Sequence, residues 1–114
     1  CTEIAQQYFV KNYFKGSNNL SFENHYNKRL DTCFILVSLT DPEKGFRKMD
    51  LYDVPEGKHY GAYVGNDTCF KESCFGNSAR VWPDGNDSNP AKFDFSGDDA
   101  QRDFEKQIYP FMFE

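Results

Sequence analysis

Four cysteines, at positions 1, 33, 69 and 74, constrain this 114-residue chain more than any other feature. An even count in so small a chain suits an oxidising compartment, where disulfides staple a core of limited size. A zinc site would instead need two close pairs of the C-x2-C kind. Here Cys69 and Cys74 are separated by four residues, and Cys1 and Cys33 stand far from them and from each other. The two histidines do not complete a ligand set, and buried free thiols are the remaining alternative. The reading is therefore two disulfides, with no metal and no cofactor. Three pairings are open, and the favoured one is Cys1–Cys33 with Cys69–Cys74. Cys1 falls on the apolar stripe of an amphipathic helix, and Cys33 opens the most apolar strand, so their sulfurs can meet if the helix packs there.

The length fits one domain, residues 1–114. Aromatic residues make up 18% of the chain, with twelve Phe, seven Tyr and one Trp. Each buried aromatic removes roughly 150–250 Å² from water, so a few of them can build a core. The net charge of −5 argues against nucleic acid, because a phosphate-tracking surface needs clustered Lys and Arg. Lys28–Arg29 and Arg47–Lys48 are isolated pairs with acidic residues close by. Nothing approaches the roughly 18 apolar residues of a membrane span. No hydrophobic leader opens the sequence, so the expectation is that any export signal has been removed.

Residues 2–15 read as an amphipathic helix. Thr2 is its expected cap, and Ile4, Ala5, Tyr8 and Asn12 form one stripe. Residues 20–28 read as a short strand or extended arm. Residues 32–40, TCFILVSLT, are the clearest strand, apolar on both faces at its centre as an interior strand should be. Turn chemistry at 41–45 and 54–57 sets off further strands at 46–53 and 58–65. Residues 66–95 are loop-rich, with short strands expected near 80–82 and 92–95. Ser96 is then the expected cap of a closing helix with Asp98 and Asp99 in its first turn. Ala100, Phe104, Ile108 and Phe111 make its apolar stripe, and Pro110 should kink or end it. The connections are too short for crossovers, so the sheet is an antiparallel meander. The fold class is α+β: an N-terminal helix, a meander of three to five strands and a C-terminal helix, both helices on one face of the sheet.

The segment His25-Tyr26-Asn27-Lys28-Arg29-Leu30-Asp31-Thr32-Cys33-Phe34 resembles a HYNxxLxxCF-like signature in a group of small uncharacterised exported bacterial proteins. Cys1, Ala5, Asp53, Val54, Glu56, Gly57, Phe104 and Met112 extend the resemblance over most of the chain. It implies export to the bacterial periplasm or envelope and implies no activity. Three N-x-S/T sequons, at Asn19, Asn66 and Asn86, would be glycosylation acceptors in a eukaryotic secreted protein; in a bacterial one they are read as chance.

His25, Tyr26 and Trp82 are the candidate contacts for a ligand or partner. A Cys33–His25 nucleophile pair would need an accessible thiolate, whereas Cys33 lies inside an apolar strand and is better explained as half a disulfide. Trp82, before the Pro83-Asp84-Gly85 turn, is either an anchor for a partner or cover for the edge of the core. A calcium loop begun at Asp94 would put Asp99 at the sixth position, where the tight turn needs glycine, so a solvated loop is preferred. No catalytic residue is assigned. The function expected is an exported, non-enzymatic module binding an unidentified protein or small molecule. A small hydrolase using carboxylates and His25, and a structural accessory of an envelope complex, are the alternatives.

Overall fold

The computed structural model describes residues 1–13, 20–41, 45–66 and 77–114. Helix α1 (Thr2–Asn12) is followed by strands β1 (Leu20–Asn27), β2 (Thr32–Asp41), β3 (Phe46–Asp53), β4 (His59–Asn66), β5 (Ser78–Val81) and β6 (Phe93–Ser96), then helix α2 (Ala100–Met112). The strands form one antiparallel sheet in the order β1-β2-β3-β4-β5-β6, so every pairing joins neighbours in the chain. The α+β meander is as expected; the strand count is six rather than three to five, because β5 and β6 each pair in full.

The placement of the helices corrects the expectation that both share a face. Along β2, Cys33, Ile35 and Val37 point to one side and pack with Ala5 of α1, flanked by Tyr8, Phe9, Phe22 and Tyr52. Phe34 points to the other side and joins Met49, Leu51, Tyr63, Ala79 and Val81 under Ala100, Phe104, Ile108, Phe111 and Met112 of α2. Side chains alternate across a strand, so an interior strand apolar on both faces needs a cover on each. The sheet is the middle layer of three.

Each helix departs locally from its pattern. Cys1, not Thr2, is the N-cap of α1, and only Ala5 of its stripe is fully buried; Ile4 is 43% exposed and Asn12 lies in solvent. The α2 stripe is buried as expected, but its N-cap is Asp99 rather than Ser96, which ends β6. Pro110 lies within α2, which runs on to Met112. The carbonyls of Pro110 and Phe111 are taken up instead by the fully buried Asn27, whose Nδ2 donates to them at 2.8 and 3.2 Å. Asn27 Oδ1 accepts the Leu30 amide at 2.9 Å, so one side chain ties β1, its following turn and the end of α2 together.

Cys1 and Cys33 are disulfide-bonded, with Cα atoms 5.4 Å apart. Cys69, Cys74 and Asn19 lie outside the described residues. No described helix is long and apolar enough to cross a membrane.

Candidate functional site

α2 approaches β1 on one side and β4, β5 and β6 on the other, and stands farther from β2 and β3. The sheet therefore curves around the helix, and a groove of about 520 Å³ is left over β2 and β3. Leu36, Met49, Ile108 and Met112 give it an apolar floor. Tyr109 and Phe113, stacked at 4.7 Å and respectively 56% and 62% exposed, form an aromatic rim. Strand register supplies the polar wall. Ser21 pairs with Ser38, and Thr40 with Arg47, so hydroxyls and a guanidinium group line one end. Glu23 from β1 and Glu105 from α2 complete the lining. On α2 the lining positions recur at 105, 108, 109 and 112, one stripe of a helix.

The other face of the sheet carries the densest polar cluster. A register shift between Leu51 and Tyr52 sets His59 opposite Tyr52. The His59 ring stacks on Tyr52 at 4.7 Å and lies 5.2 Å from the Trp82 ring. Its Nε2 lies 3.0 Å from Asp50 Oδ1 and its Nδ1 lies 3.1 Å from Asp87 Oδ2. An ionised carboxylate only accepts, so the arrangement suits a ring that carries a proton on both nitrogens. Burial opposes the charged form, but hydrogen bonds to Asp50 and Asp87 outweigh it and hold the pKa above the ordinary value. Tyr52, hydrogen-bonded to Tyr13, is pushed up by burial and by the nearby Asp50 charge.

This array joins β3, β4 and the loop after β5. Both ring nitrogens already face a carboxylate. The carboxylates sit on opposite ring nitrogens and cannot converge on one ion, and no group of three or more ligating side chains gathers among the described residues. Its role is to fasten the loop. A pH dependence follows. A histidine whose folded pKa is raised contributes stability in full below its unfolded value near 6.5, and that contribution is lost as pH rises through the folded value. The melting temperature should fall as pH climbs above about 6.5, and His59→Gln should flatten that part of the profile. An unchanged slope in the variant would discount the cluster.

Sequence-selected residues are dispersed. His25 lies on the α2 face, opposite Phe34, and is outside the groove lining; its Nε2 is buried and has no hydrogen-bond partner among the described residues. Tyr26, 45% exposed, donates its hydroxyl to Asp31 Oδ1. Trp82 is only 8% exposed and donates from Nε1 to the Asn89 carbonyl at 2.9 Å. His59, Asp50 and Asp87 were not singled out, and the only signal for them was the rarity of histidine.

No family model, curated protein or solved structure matches the chain. What the molecule can do must be read from its own geometry. The polar groups of the His59 cluster are spent on one another, whereas the groove is open to solvent.

Proposed function

We propose that this chain is an exported, non-enzymatic binding module that takes its ligand in the groove between α2 and strands β1–β3. The observation that carries the reading is the groove itself. Its volume of about 520 Å³ falls in the range of small-molecule sites, roughly 300–1,000 Å³. An apolar floor beside a short row of hydroxyls is the mixture such sites use for affinity and orientation. The Cys1–Cys33 bridge supports an oxidising, extracytoplasmic setting. A hydrolytic reading draws no comparable support, since His25 is outside the groove lining and His59 has both nitrogens committed.

The neutral fluorescent amphiphile N-phenyl-1-naphthylamine tests the reading. It should bind the native protein with a saturable rise in emission. The rim variant Tyr109→Ala with Phe113→Ala, altered only at exposed positions, should weaken binding about tenfold or more, since each lost aromatic contact is worth roughly a kcal/mol. Its melting temperature should stay near that of the native protein. Absence of saturable binding, or equal binding by the variant, would sink the proposal.

A further inference from the structure

β1 is the long open edge of the sheet. Its eight residues pair on one side with β2, while the opposite edge, β6, has only four residues. Among the described residues no other strand pairs with β1. Such an edge presents a row of backbone donors and acceptors to any chain able to add to it. β1 has neither proline nor lysine within its bounds, two of the usual deterrents.

We infer that β1 pairs antiparallel with β1 of a second copy of this chain, across a twofold axis at Asn24, to form a continuous twelve-stranded sheet. Side-chain chemistry selects both the occupant and the register. A two-sided sheet continues without a flip only if residues of the same face meet, so the paired positions must sum to an even number. Centring the axis on Glu23 would oppose two like carboxylates. Centring it on Asn24 sets Glu23 of each copy opposite His25 of the other, and Phe22 opposite Tyr26. Both are favourable cross-strand pairs, repeated twice by the symmetry. The second observation is His25 itself, which is partly exposed on this edge strand. The pairing places an acidic residue across from it.

Sedimentation velocity over a range of micromolar concentrations tests this on the oxidised native protein. The wild type should show a concentration-dependent dimer. Glu23→Lys changes an exposed position and removes the carboxylate from both cross-strand pairs, so it should weaken association about tenfold or more at an unchanged melting temperature. Combining Glu23→Lys with His25→Glu sets a lysine opposite a glutamate in both pairs and should recover the dimer. A wild type that stays monomeric throughout, or a Glu23→Lys variant that associates as tightly as wild type, overturns the inference. The rim variant Tyr109→Ala with Phe113→Ala should dimerise normally, which separates this result from that of the groove.

Discussion

Phe104→Ala should lower the unfolding free energy by about 3–5 kcal/mol, the loss typical of a fully buried Phe truncated to Ala. Phe104 is completely buried at the centre of α2. It projects onto Gly61 of β4, where the strand offers no side chain. A Cβ built on Gly61 would lie 2.9 Å from Phe104 Cε1 and 3.4 Å from Ile108 Cγ2. The ring therefore fills the space that Gly61 leaves, with Tyr63 6.1 Å away between centroids. Backbone cannot collapse into that void as a flexible side chain could, which favours the upper part of the range. Urea unfolding followed by circular dichroism measures the change. Ile4→Ala, at a position 43% exposed, should stay within about 0.5 kcal/mol and serves as the control. A loss below about 1 kcal/mol for Phe104→Ala would mean that α2 is not the lid of this core.

The second large effect belongs to the covalent link. Replacing Cys1 and Cys33 together by alanine should cost about 3–4 kcal/mol, the chain-entropy value for a bridge across 32 positions. The mechanism differs from that of Phe104. The bridge acts mainly by restricting the unfolded chain, whereas the phenyl ring acts by packing the folded one. Alanine rather than serine avoids placing an unsatisfied hydroxyl beside Ala5 and Ile35, both fully buried. Denaturant midpoints of the double variant should shift down while its near-ultraviolet spectrum stays native. Because the two sites lie on opposite faces and share no packed cluster, their losses should add within about 0.3–0.5 kcal/mol.

Local chemistry was well recorded in the residues. The TCFILVSLT run is β2, the 46–53 strand is β3, and the buried stripe of α2 falls at Ala100, Phe104, Ile108 and Phe111. The Cys1–Cys33 pairing also followed from helical and strand periodicity. Facing was harder, since the apolar pattern of β2 demands cover on both sides but does not say which helix supplies which. β5 and β6 are only four residues each, too short for alternation to separate them from loop. The candidate groove was legible only as a concave side. Its lining joins Ser21, Arg47 and Glu105, and nothing in their spacing reveals that a curved sheet gathers them. The His59 cluster depends on a one-residue register shift beside Tyr52, which leaves no mark in the pattern of hydrophobic residues.

The meander also sets an order in time. Each strand pairs with its chain neighbour, so the sheet can grow hairpin by hairpin, closing only short loops. The apolar cluster under α1 has all its parts once β3 and Val54 after it have been made. The α2 face does not: Phe34, Leu51 and Val81 wait uncovered for the closing helix, and the Asn27 to Pro110 hydrogen bond spans 83 positions. Ribosomes deliver the N-terminal end first, so the cluster under α1 completes while the one under α2 is still bare. A helix that docks last stabilises the finished structure more than the barrier leading to it. Stopped-flow kinetics of Phe104→Ala should accordingly show faster unfolding with a folding rate close to that of the wild type.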